Sequence, residues 1–147
     1  MEAFVPTRSP DPLPGTRLLA LEADSTFEMV EQLEQGLSPN SVERLARHLD
    51  VPLTQMLELA DLKSSTFFET KKRRGRLNPE ASGRVYRLAK VVEAADDFFE
   101  DQAAARRWLS QPKVALDGKV PLSFARSAEG ADYVVKMLGR MAHGVVS

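Results

Sequence analysis

Lys71, Lys72, Arg73, Arg74 and Arg76 place five cations in the six positions from 71 to 76, and the one acid close by in sequence, Glu69, cannot neutralise them. Side chains of this type at this density bind polyanions. They displace the counterions condensed on a phosphate backbone, a sequence-independent attraction that supplies most of the non-specific affinity for DNA. The total charge hides this patch. The 147 residues sum to a net charge of -1, yet residues 1–62 carry 4 basic and 11 acidic side chains, residues 63–90 carry 9 and 2, and residues 91–147 carry 7 and 8. The middle segment therefore holds a local excess of +7. A basic run of this kind also occurs as a solvated linker or as a chance match to a nuclear-localisation signal, so its meaning depends on what it is joined to.

It is joined to a helix-turn-helix pattern. Leu53, Met56, Leu57 and Ala60 recur at i, i+3, i+4 and i+7, the spacing that lines one helical face. Asp61-Leu62-Lys63 breaks the pattern, and Ser64 or Ser65 is expected to cap a second helix carrying Thr66, Phe67, Phe68 and Thr70. Many such turns hold Gly where φ is positive, and Asp61 occupies that position here; Asp tolerates the left-handed region better than most residues. The second helix is the expected DNA-recognition helix. On this reading Ser65, Thr66 and Thr70 face base edges, the cations from Lys71 to Arg76 contact phosphates, and Lys63 and Ser64 complete the DNA-binding set.

Other chemistry is poorly supplied. The chain has no Cys, which excludes disulfides, thiolate metal sites and a cysteine nucleophile, and its two histidines, His48 and His143, lie 95 positions apart. His48 in Arg44-Leu45-Ala46-Arg47-His48-Leu49-Asp50 is expected near a helix C-terminus, where the helix dipole favours a cation. No G-x-S-x-G, G-x-G-x-x-G, G-x-x-x-x-G-K-[ST] or H-E-x-x-H pattern occurs. The Asp96-Asp97 and Glu100-Asp101 pairs fall away from Ala95, Phe98 and Phe99 on a helical wheel and read as a solvated face. No enzymatic activity, cofactor or metal is expected. With 43% hydrophobic and 28% charged residues, no 18-residue apolar stretch and no signal-peptide core, the chain reads as a soluble cytoplasmic protein.

Along the chain, residues 1–16 contain four prolines and little periodicity and are expected to be extended, as part of an arm over residues 1–24. Helices are expected over roughly 25–35, with Gly36 as a stop, and over roughly 40–49, followed by the helix-turn-helix. Asn78-Pro79-Glu80 is a helix start, with Asn78 as cap and Pro79 at the first helical position, and the helix runs through Val85, Leu88, Ala89 and Val92 towards Phe99. Beyond residue 101, Gln102 to Leu109 and Ala131 to Ala142 read as helices, Ser110 to Leu122 as loop, and Lys113–Leu116 as the single candidate strand.

The C-terminal half carries a recognisable succession: Trp108-Leu109-x-x-Pro112, Leu116-x-Gly118-x-x-Pro121-Leu122, Glu129-Gly130-x-x-x-Val134, and Leu138-Gly139-Arg140-Met141-x-His143-Gly144. Its order and spacing resemble the toxin-binding domain of the Xre/MbcA/ParS antitoxins, and the helix-turn-helix with Gly75-Arg76-Leu77 and Asn78-Pro79-Glu80 after it is similar to the same family. The resemblance covers roughly residues 40–147; the chain departs from it at Ser123-Phe124-Ala125-Arg126 and at Ser127-Ala128. It implies the antitoxin of a type II toxin–antitoxin pair, whose partner is a RES-domain toxin acting on NAD by degradation or by ADP-ribosylation. The C-terminal domain would block the toxin's cleft, and the N-terminal domain would bind the operator of its own operon. Toxin contacts would come from Trp108, Leu109, Pro112, Gly118, Pro121, Leu122, Gly130, Val134, Leu138, Gly139, Arg140, His143 and Gly144.

The residues themselves leave alternatives. Trp108 is either an aromatic anchor at an interface or the core of a small helical module. Gly139, inside a helix where Gly is about 1 kcal/mol worse than Ala, suggests close approach of another backbone, and Gly144 a helix stop. Arg140 is the expected polar contact in a toxin cleft. The chain is thus expected to be all-α: an N-terminal arm over 1–24, a DNA-binding and dimerising helix-turn-helix bundle over 25–92, and a toxin-binding helical domain over 93–147. A homodimer is expected because one helix-turn-helix reads only a half-site. The rival readings are a stand-alone regulator whose C-terminal domain binds an effector or partner, and an adaptor whose basic patch binds an acidic protein.

Overall fold

The computed structural model describes residues 12–144. These form nine α-helices and one 3-10 turn, with no strand among them. The helices are α1 (Thr16–Leu19), α2 (Thr26–Gln35), α3 (Asn40–Leu49), α4 (Leu53–Leu59), α5 (Ser64–Lys72), α6 (Pro79–Phe99), α7 (Gln102–Ser110), α8 (Pro121–Phe124) and α9 (Ala128–Ala142). Each boundary has a local cause. Ser25 accepts from the Glu28 amide, Asn78 from Ala81, Asp101 from Ala103 and Ser127 from Gly130, so that side-chain oxygens satisfy the free N–H groups at the starts of α2, α6, α7 and α9. Ser127 starts α9 three residues before the position expected from the apolar spacing alone. Gly36 ends α2 at φ 97°, and a Cβ there would stand 2.0 Å from the Leu77 carbonyl oxygen, so only glycine allows the two backbones to cross.

α6 organises the molecule. It spans 21 residues, about 31 Å at 1.5 Å per residue, and buries Val85, Leu88, Ala89, Val91, Val92 and Ala95 on nearly all sides. α1, α2, α3, α7 and α9 all pack on it, and the polar ties from α1 and α3 reach Glu93, Asp96 and Asp97 in its C-terminal part. One continuous core runs from Leu19 through Leu45, Met56, Phe67 and Val92 to Leu109, Val134 and Leu138. The division expected near residue 92 therefore falls inside an uninterrupted helix, and the two halves share both that helix and a core.

Two expectations need correction. The arm expected over residues 1–24 is not wholly extended: Thr16–Leu19 form the helical turn α1, Leu19 is buried, and the Leu18 amide donates to the buried carboxylate of Glu93 on α6 at 3.0 Å. A buried carboxylate with a backbone donor and the Arg17 guanidinium at 3.8 Å anchors this segment, a pairing invisible to local patterns. The rest of the expected arm, residues 1–11, lies outside the described residues. The candidate strand Lys113–Leu116 is instead a 3-10 turn at Val114–Leu116, closed by an isolated antiparallel bridge between Lys113 and Lys119.

Candidate functional site

The basic cluster sits at the end of α5, and α4 and α5 form the helix-turn-helix. Between them Asp61 has φ 53°, so an aspartate does take the left-handed position at which such turns favour glycine. Arg84 on α6 locks the turn: its Nε donates to the Ala60 carbonyl at 2.7 Å and its Nη2 to Asp61 at 3.2 Å, placing a cation on the last carbonyls of α4. That role was not readable from sequence, since 23 residues separate the partners.

α5 begins differently from the expectation. Neither Ser64 nor Ser65 caps it; Lys63 is the N-cap, no side chain accepts from the first turn, and both serines are exposed helical residues. The free N–H groups and the positive end of the helix dipole are thus left facing solvent. Ser65 and Thr66 are exposed, but Thr70 is not available to DNA. It is 3% exposed and its hydroxyl donates to the Thr66 carbonyl at 2.8 Å, because one turn after the fully buried Phe67 it falls on the core side of the helix.

The five cations also divide. Lys71 pairs with Glu43 of α3 at 2.6 Å, so the neutralising acid comes from 28 positions away rather than from Glu69. Arg76 donates to the Gly36 carbonyl at 3.0 Å, holding the crossing of residues 36 and 77. Lys72, Arg73 and Arg74, together with Lys63, are exposed and form no ion pair with any described residue. Arg74 stands at φ 55°, where the chain turns out of α5. A compact group of unpaired cations follows a helix whose first turn is also electropositive. Phe68 and Glu69, named in the sequence but left out of its DNA-binding set, also lie outward on this helix. Their signal was the i+3 and i+4 spacing from Ser65.

The C-terminal residues separate into core and surface. Leu109, Pro121, Leu122, Gly130, Val134 and Leu138 are buried within the chain, so these six, expected as toxin contacts, instead hold α7, α8 and α9 together. At Gly130 a Cβ would stand 1.8 Å from the Phe124 carbonyl oxygen, so this glycine lets the end of α8 lie on the first turn of α9. Trp108 is half-buried, with its ring 6.0 Å from Phe99 and the Lys113 ammonium 5.5 Å above it. Pro112, Gly118, Arg140, His143 and Gly144 are exposed, and Gly144 at φ 71° ends α9 as a stop. Gly139 is partly exposed and no atom approaches within 4 Å of a Cβ placed on it, so nothing inside the chain demands a glycine there. Val114, 98% exposed at the tip of the 110–122 loop, and Tyr133, next to Arg140 at 5.8 Å, are outward apolar groups that the sequence did not single out.

The carboxylates at and beyond the end of α6 are engaged in polar contacts. His48 Nε2 lies 2.6 Å from Asp96, Arg17 bonds Asp97 at 3.2 Å, and Asp101 caps α7. Asp96 is therefore not on a freely solvated face. The hydrogen bond to Asp97 raises the Arg17 pKa above its ordinary value. His48 does lie in the last turn of α3, as its sequence position indicated. No group of three or more His, Asp or Glu among the described residues is placed to hold a metal ion, and no helix among them is long and apolar enough to cross a membrane.

Known proteins divide the chain along the same lines. A family model described as the antitoxin Xre-like helix-turn-helix domain matches residues 28–90, and one described as the antitoxin Xre/MbcA/ParS C-terminal toxin-binding domain matches residues 94–144. The chain is similar over its whole length, and over the whole length of each relative, to Antitoxin Xre of Yersinia enterocolitica at 28% identity and to Antitoxin Xre of Photorhabdus laumondii at 24%. It is also 26% identical to the Prs ADP-ribosylating antitoxin of a Sphingobium species, covering 85% of this chain and 84% of the relative. A helix-turn-helix half bearing unpaired cations, followed in order by a toxin-binding half, places this chain in the Xre/MbcA/ParS family of antitoxins.

Proposed function

We propose that this protein neutralises a RES-domain toxin that consumes NAD, by covering the toxin's active-site cleft, and that it represses its own operon as a homodimer. The observation that carries the toxin half is the family match over residues 94–144. The resemblance at Trp108 to Gly144 supports the RES class, and the name of the Sphingobium relative, an ADP-ribosylating antitoxin, links that protein to ADP-ribosylation. The residues offered to the toxin are the exposed or partly exposed ones: Pro112 and Gly118 with Val114 on the loop, and Tyr133, Gly139, Arg140 and His143 along α9. Operator binding is supported by the uncapped start of α5 and by Lys63, Lys72, Arg73 and Arg74, which find no partner within the described chain. The protein acts by binding on both sides; catalysis is left to the toxin. Its place is the cytoplasm, where operator and NAD are found.

The test is NAD turnover by the RES-type protein encoded beside this gene, titrated with the full chain. Stoichiometric inhibition is expected; undiminished turnover at a molar excess of the chain would reject the reading. An effector-binding regulator remains as the second reading, favoured by one observation. Pro12, Pro14 and Arg17 with parts of α6 and α9 line a cleft of about 540 Å³, with Arg87 and Lys90 among its lining residues. Burial, and then the Arg87 charge, lower the Lys90 pKa. Absence of any RES-type reading frame beside the gene would favour that alternative.

A further inference from the structure

The outward face of α5 carries two side chains that phosphate binding does not use. Ser65, Phe68, Glu69 and Lys72 follow one another at i, i+3, i+4 and i+7 and are all exposed, whereas Phe67 and Thr70 point into the core. Phe68 is 53% exposed, an apolar ring among Ser65, Glu69 and the free cations Lys72, Arg73 and Arg74. It is also held in place: its ring meets Phe67 edge-on, with centroids 5.2 Å apart and planes at 81°. Glu69 forms no ion pair among the described residues and is the only acid between Lys63 and Leu77. A carboxylate there opposes approach to phosphates, so its use lies elsewhere on the DNA.

We propose that Phe68 reads the 5-methyl group of a thymine in the major groove and that Glu69 accepts a hydrogen bond from the N4 amine of a cytosine on a neighbouring base pair. The inference rests on the operator-binding reading above and adds the bases read. Thymine methyl is the apolar group that B-DNA presents in the major groove, and the cytosine amine is the donor that suits a carboxylate. An ordered, exposed phenyl ring on the recognition helix matches the first. A carboxylate one residue further along matches the second, and leaves an unpaired buried charge on a sequence without that amine. Lys72, Arg73 and Arg74 then grip phosphates at the end of the same helix and set its register.

The probe is the duplex upstream of this protein's own reading frame, bound by the full chain at fixed salt, with single thymines in the protected segment replaced by deoxyuridine, which lacks only the 5-methyl group. One such replacement should weaken the native chain by about fourfold, the equivalent of one buried methyl-sized group. Phe68→Ala should bind both duplexes equally, and Phe68→Leu should retain part of the difference. Glu69→Gln should move the preference at the neighbouring pair from cytosine to adenine. No thymine–deoxyuridine difference in the native chain, or an undiminished one in Phe68→Ala, overturns the proposal. So does a Phe68→Ala chain that sediments as a smaller species with its thymine preference intact, which would make Phe68 a contact between two copies. Absence of any salt-dependent binding by the native chain would remove operator binding itself, and base readout with it.

Discussion

Gly130 and Gly139 look alike in the sequence, and their surroundings give them opposite roles. Gly130→Ala forces a methyl group against the Phe124 carbonyl, a backbone atom that cannot swing aside, and should destabilise the fold by roughly 2 kcal/mol or more in urea unfolding. Gly139→Ala meets open space in a helix interior and should stabilise the chain by about 1 kcal/mol. If a toxin backbone lies against that position, the same variant will inhibit less while unfolding later, an outcome a purely structural glycine cannot produce. The cations divide in the same manner. Replacing Lys72, Arg73 and Arg74 with Ala should flatten the slope of log affinity against log salt by about 2.7, at roughly 0.9 per lost phosphate contact. Lys71→Ala and Arg76→Ala, whose charges are already engaged by Glu43 and the Gly36 carbonyl, should change that slope much less. A triple variant with an unaltered slope would place the DNA elsewhere.

α9 combines two roles on opposite faces. Val134, Met137 and Leu138 fasten it to α6, so Leu138→Ala should destabilise the fold by about 3 kcal/mol, and any loss of inhibition it causes follows from unfolding. Arg140 is exposed beside Tyr133, and Arg140→Glu should abolish or strongly weaken toxin inhibition, at an unchanged unfolding midpoint and unchanged helix content by circular dichroism. Full inhibition by Arg140→Glu would assign occlusion to the 110–122 loop instead. A chain cut at Tyr133 cannot make this distinction, because it removes core residues along with the surface. In the helix-turn-helix the apolar periodicity of α4 and the position of the turn before α5 were readable, since they depend on local spacing. The cap of α5 was not, because the helix starts at Ser64 with Lys63 as its cap residue, and Thr70 was misplaced because the buried face is set by how Phe67 packs into the core.

At the scale of the whole molecule the shared helix α6 governs stability. Both its N-terminal and its C-terminal half bury apolar side chains in one continuous core, so the two regions should unfold together, in one transition reported alike by Trp108 fluorescence and circular dichroism. A fragment of residues 1–92 ends within α6 and strips Leu88, Val91 and Val92 of the cover given by α7 and α9. It should be mostly unfolded or aggregated, and its failure to bind DNA would not argue against the helix-turn-helix. Two transitions separated in temperature, one of them lacking any Trp108 signal, would show that the halves are independent. Glu93 has a part in this coupling, since it ties the segment before α2 to the middle of α6.

By itself the sequence determined the helical class, the extents of most helices, the left-handed Asp61 turn, the basic segment and the family resemblance of both halves. All of these are encoded in residues no more than a few turns apart, or in an ordered succession of motifs along the chain. Only the tertiary structure decided which members of a motif face solvent. Leu109, Val134 and Leu138 were named with Arg140 and His143 because they share a motif, yet burial separates them, and burial is set by packing between elements distant in sequence. The same reason explains Lys71 with Glu43, Arg76 with Gly36, Arg84 with Ala60 and Leu18 with Glu93. Each pair is separated by more than twenty residues, and no local period encodes a contact that exists only once the helices have packed.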